Sequence, residues 1–93
     1  MVTTVKCHGK ITSETAWELR EAVKPLLTLG GRIIINLRYV NYLDSTGLGV
    51  LVALKFTAIK QGYCILEFAN MTPRILEVLR ISNLIQFLSS SQD

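Results

Sequence analysis

The chain has 93 residues, of which 49% are hydrophobic and 18% charged, and a formal charge of +3. That length supports one domain, residues 1–93, with a modest core that needs neither disulfide nor metal, and the apolar content argues against disorder. No run approaches eighteen apolar residues and no apolar signal core opens the chain, so membrane insertion is not expected and a cytoplasmic location follows by default. The Lys and Arg residues are scattered, with neither a basic stripe nor interleaved aromatics, which argues against direct nucleic-acid binding.

Val2 to His8 reads as a first strand stopped by Gly9-Lys10. A helix follows from about Ser13 to Leu29, with Leu19, Ala22, Val23, Leu26 and Leu27 on one face. Thr12 or Ser13 could cap it, Thr15 with Glu18 matches a capping box, and Pro25 bends or interrupts it before Gly30-Gly31. The β-branched run Arg32 to Leu37 is an interior parallel strand, leading through Arg38 to Leu43 into Asp44-Ser45-Thr46-Gly47-Leu48-Gly49. A largely buried helix spans roughly Thr46 to Gln61, and Cys64 to Ala69 is the next strand. Thr72-Pro73 signals a third helix, with Thr72 as cap and Pro73 in its first turn. A short final strand is expected at Leu84 to Leu88, and the tail from Ser89 to Asp93 reads as disordered.

Strands alternating with helices imply an α/β fold with right-handed connections. Cys7 and Cys64 have no metal-ligand spacing and read as buried free thiols. His8 points away from its neighbour Cys7, so no metal site is expected. Trp17 is expected at the edge of the core. Tyr39 reads as structural, and Tyr42 as part of an interface rim.

The junction from Asp44 to Gly49 is the richest segment. Asp, Ser, Thr and Gly at a strand-to-helix turn are ordinary capping chemistry, and Ser45 falls at or near the N-cap, with two glycines that allow close backbone approach. Only one of Asp44, Ser45 and Thr46 is needed to cap, however, and the helix that follows is too apolar to face water alone. The chain lacks the proton donors and acceptors of an acid–base enzyme: it has a single His, no Gly-x-Ser-x-Gly elbow and no phosphate-cradling loop. No catalytic residue, cofactor or metal is expected.

The stretch from Val40 to Leu51 resembles the signature of the STAS domain family, and specifically of the small bacterial anti-sigma factor antagonists. The likeness extends to Gly9-Lys10-Ile11-Thr12, Gly30-Gly31, Lys60-Gln61-Gly62 and Ile81-Ser82-Asn83-Leu84. It implies a single STAS-like domain, with a small mixed β-sheet and helices mainly on one face. It also implies that Ser45 is phosphorylated by a partner kinase that is itself an anti-sigma factor. In that family the unmodified antagonist holds the anti-sigma factor and frees the sigma factor, and a PP2C-type phosphatase restores the active form. Many relatives carry an Asp where this chain has Thr12, and Glu14 offers a carboxylate nearby. Asp44 and Gly47 are expected to shape the turn, with Thr46, Leu48, Tyr42 and Met71 as contacts. The alternative is a STAS-like scaffold or transporter-associated subunit without a phosphorylation cycle. Relatives usually begin with a further strand, so the edge of Val2 to His8 is expected to be less protected, with a monomer as the free state.

Overall fold

Alternation along the strands sets the architecture. Ile33, Ile35 and Leu37 are completely buried, whereas Ile34 and Asn36 between them are half-exposed, so the sheet has one covered face and one open face. The computed structural model describes residues 1–89. Its strands are β1 (Val2–Ile11), β2 (Gly31–Leu43) and β3 (Cys64–Ala69), ordered β1-β2-β3 with both pairings parallel. The helices are α1 (Ala16–Val23), α2 (Ser45–Gln61), α3 (Pro73–Ile81) and α4 (Ile85–Ser89). Their buried residues join the covered sheet face in one core, in which each buried aliphatic side chain contributes about 1.5–3 kcal/mol. The expected α/β class, small sheet and one-sided helices are all found.

Several boundaries differ from expectation. β1 runs past Gly9-Lys10 to Ile11, because Gly9 takes a positive φ of 74° and the strand continues through it. β2 extends to Leu43 rather than Leu37. Lys6 pairs with Asn36 but His8 with Tyr39, and Gly9 pairs with Val40 but Lys10 with Tyr42, so β2 takes up an extra residue at each irregularity and the two strands stay together. The first helix begins at Ala16, and Pro25 lies in a 3₁₀ segment, Lys24–Thr28, instead of a final α turn. Thr15 forms no capping box: its hydroxyl donates to the Lys10 carbonyl at 2.6 Å and accepts from the Thr12 N–H at 3.0 Å.

The largest departure is at the end of the chain. Leu84 to Leu88 is not a strand: α4 occupies the segment, with the Leu88 N–H bonded to the Leu84 carbonyl at 3.0 Å and Leu88 itself buried. A short apolar run is compatible with either state, and the left-handed Asn83 (φ 61°) turns the chain so that a helical turn covers the core. The expected disordered tail lies outside the described residues, apart from Ser89, which ends α4.

In α2, Leu51, Leu54, Lys55 and Ala58 face inward, while Phe56 and Ile59 remain exposed. Lys55 is fully buried, and its ammonium donates to the Leu66 carbonyl at 2.7 Å. Burial pushes its pKa down, and the Glu67 carboxylate partly opposes that shift. Cys64 is buried and Cys7 half-buried; neither is in a disulfide, and burial pushes both thiols up in pKa, so neither is activated.

Candidate functional site

Parallel strands deliver their C-terminal ends to one end of the sheet. Pairing of Ile11 with Leu43 therefore sets the loop after β1 beside the turn after β2. The N-cap of α2 is Asp44 rather than Ser45. Its extended backbone (φ −97°, ψ −177°) lets Oδ1 accept the Gly47 N–H at 2.8 Å. The second oxygen, Oδ2, accepts the Ser13 N–H at 3.1 Å, and the Asp44 N–H donates to the Ile11 carbonyl at 3.3 Å. One carboxylate thus caps the helix and ties it to the β1–α1 loop. The Gly47 N–H, followed by those of Ser13 and Thr46, holds the Asp44 carboxyl below its ordinary pKa.

Gly47 is required by space. A Cβ there would run into the Ile11 carbonyl oxygen and lie 2.9 Å from Leu43 Cδ1, so the first turn of α2 packs directly on the end of β1. Gly49 does not share this role: a Cβ at that position would meet nothing within 4 Å, contrary to the expectation that both glycines admit a close backbone.

Asp44 does the capping, so Ser45 is left as the first residue of α2, exposed and with its hydroxyl in no hydrogen bond among the described residues. Thr46 beside it is exposed, and Leu48 is half-buried against the core. The loop opposite is stiffened by its own bonds. The Thr12 carbonyl accepts from Thr15 and Ala16, and its hydroxyl accepts the Glu14 N–H at 3.3 Å. Glu14 is exposed, and its carbonyl accepts the Trp17 indole N–H at 2.9 Å. Trp17 is itself 55% exposed, not packed at the core edge, because that bond holds it out over the loop.

Tyr42 lies on the open sheet face, where β-register places it against Lys10. Met71 is half-buried against the core, and its loop is bound at both sides: Asn70 Nδ2 donates to Asn36 Oδ1 at 3.1 Å, and Arg74 to the Asn41 carbonyl at 3.3 Å. Two features were missed by sequence reasoning: the Ser13–Asp44 bond, and the stacking of His8 on Tyr39 at 5.4 Å with the Arg38 guanidinium over the same ring. Only the parallel register, including its irregularity between Lys6 and His8, reveals the latter. Among the described residues no three His, Cys, Asp or Glu side chains form a metal-holding group, and no helix is long and apolar enough to cross a membrane.

Comparison with known proteins agrees with this architecture. The family profile described as "Mlab, STAS domain" matches residues 2–89. The anti-sigma-B factor antagonist of Bacillus subtilis (strain 168) is 38% identical over 80 residues, covering 86% of this chain and 72% of that protein. Among solved structures, a Thermotoga maritima protein assigned as an anti-sigma factor antagonist superposes with a TM-score of 0.83 at 22% identity, over 95% of this chain and 76% of its own. The anti-sigma factor antagonist SpoIIAA in its unphosphorylated form has a TM-score of 0.71 at 18% identity, over 89% and 73%. These two likenesses speak to the fold alone. Family profile and sequence relative together show that the chain belongs to the STAS domain family, in its anti-sigma factor antagonist branch.

Proposed function

We propose that this domain is a phosphorylation-controlled binding switch. Its unmodified form binds an anti-sigma factor that is also an ATP-dependent serine kinase, that kinase modifies Ser45, and a PP2C-type phosphatase reverses the change. The observation that carries this reading is the exposed hydroxyl of Ser45, in no hydrogen bond among the described residues, on a turn whose shape is already held by Asp44 and Gly47. A phosphoacceptor needs exactly such access, while its partner brings ATP, Mg²⁺ and the base. The relative from Bacillus subtilis, an antagonist of an anti-sigma factor, supports the class of partner.

Phosphorylation adds about −1.5 to −2 charges and three strong acceptors. At the start of α2 the new group meets the positive end of the helix dipole, so the domain stays folded while its contact surface changes sign. Release of the partner then follows from repulsion and desolvation, with no refolding of this chain. Thr46, Leu48 and Tyr42 supply contact surface around Ser45, with Thr12 and Glu14 on the facing loop; Met71 contributes only what the core leaves exposed.

Mass spectrometry after incubation with ATP and the anti-sigma factor kinase of the same genome tests the assignment. Phosphate is expected on Ser45, with kinase binding lost in a Ser45→Asp variant. Phosphate found only elsewhere, or binding unchanged by Ser45→Asp, overturns it.

A further inference from the structure

Basic side chains that are scattered in the sequence are gathered on the open sheet face. Lys6, His8 and Lys10 alternate along β1 and are all exposed, which spaces them about 7 Å apart on one side of the strand. Register sets them against Asn36, Tyr39 and Tyr42 of β2. Arg38 lies 5.7 Å from the Tyr39 ring centre, and Arg74, held by the Asn41 carbonyl, lines a shallow concavity of about 350 Å³ with Lys10, Asn41 and Tyr42. Glu67 is the one carboxylate on this face among the described residues, and Arg32 already pairs with it at 3.1 Å. Among the described residues none of Lys6, Lys10, Arg38 and Arg74 takes part in an ion pair. The strip is therefore uncompensated positive charge with tyrosines set into it, and Lys10 and Tyr42 carry it to within two residues of Asp44 and the switch turn.

We propose that this strip docks an acidic surface of the same partner that binds the Ser45 turn, so that the interface continues from the turn over the open sheet face. The proposal rests on the binding-switch reading above. Charge complementarity names the chemistry: carboxylates of the partner opposite Lys6, Lys10 and Arg74, with Tyr42 as an amphipathic anchor where strip and turn meet. Single-stranded nucleic acid fits less well. It would use tyrosine faces as stacking platforms, but Tyr39 already carries His8 stacked at 5.4 Å with 7° between the rings, besides the Arg38 guanidinium.

Two double variants with the same change in net charge decide the matter. Lys6→Glu/Lys10→Glu alters the strip, whereas Lys24→Glu/Lys60→Glu alters exposed lysines on the 3₁₀ segment and on α2. Binding to the purified anti-sigma factor kinase is followed by surface plasmon resonance at low and high salt, with circular dichroism confirming that each variant is folded. The strip variant is expected to lose about tenfold or more in affinity at low salt, mostly in association rate, with the gap closing as salt rises. The control variant stays within about twofold. Equal losses in both variants, or none in either, overturn the proposal. So does a labelled mixed-sequence single-stranded DNA 20-mer that binds through Lys6 and Lys10 while kinase affinity is unchanged. If Ser45→Asp abolishes kinase binding and the strip variant does not, the docking strip fails and the switch stands. If the strip variant loses binding and Ser45→Asp does not, the switch fails and the strip stands. Absence of kinase binding by the unaltered protein overturns both.

Discussion

Two strand-to-helix junctions lie at the same end of this sheet, and they are capped by similar means to different effect. At α3, the Thr72 hydroxyl accepts the Ile75 N–H at 3.4 Å and Pro73 fills the first turn, so the cap is local and the next position carries no reactive group. At α2, Asp44 has two oxygens, one spent on Gly47 and the other on Ser13, thirty-one residues away in the chain. The position corresponding to Pro73 is Ser45. A carboxylate cap therefore does what a hydroxyl cap cannot: it fixes the helix start and a neighbouring loop at once, and it leaves the adjacent hydroxyl without a structural duty.

The sharpest way to break the α2 junction is at Gly47. Gly47→Ala drives a Cβ into the Ile11 carbonyl and is expected to cost about 2–3 kcal/mol in urea denaturation. Gly49→Ala, in open space on the same helix, is expected to raise stability by up to about 1 kcal/mol, since it removes glycine's entropic cost in a helix. A Gly47→Ala protein as stable as the unaltered chain would mean that the first turn of α2 does not press on β1.

The caps themselves come next. Thr72→Ala is expected to cost about 1 kcal/mol. Asp44→Ala should cost more, because it also releases Ser13. Equal losses in thermal denaturation would show that the long-range bond adds nothing.

The two junctions also separate by pH. Asp44 has a folded pKa below its unfolded value, so its contribution is complete above the unfolded carboxylate pKa, about 3.9, and is lost as pH falls through the folded value. The stability advantage of the unaltered protein over Asp44→Asn should be flat near neutrality and shrink in acid. The Thr72→Ala difference should not change over that range. An Asp44→Asn difference that grows on acidification would reverse the sign of the linkage. Smallest of all, Ser45→Ala is expected to shift stability by no more than about 0.5 kcal/mol while removing phosphate incorporation; a large stability loss would give the hydroxyl a structural role.

Much of this junction is legible in the sequence, for local reasons. Thr72-Pro73 reads as a helix start, and Gly62 as a left-handed helix end (φ 74°), because capping depends on a few adjacent residues. The same locality misplaces the α2 cap by one residue: Ser45 and Asp44 are both good caps, and only the position of Ser13 favours the carboxylate. Leu84 to Leu88 was ambiguous because five residues of apolar chain fit a strand or a helical turn equally. The aromatic and basic strip was illegible, since Lys10 and Tyr42 are separated by thirty-one intervening residues and meet only after two register shifts in β2.

The parallel pairing of the strands also bears on when the Asp44–Gly47 turn takes shape. No tight hairpin can join parallel neighbours, so β1 meets β2 only after a crossover has closed, and the contacts that build the turn are among the latest available to the folding chain. A nascent or partly melted chain carries Ser45 on a segment that has Asp44 but not the backbone of Ser13 and Ile11 around it. A partner that recognises the assembled turn consequently samples only chains in which β1 and β2 have already come together.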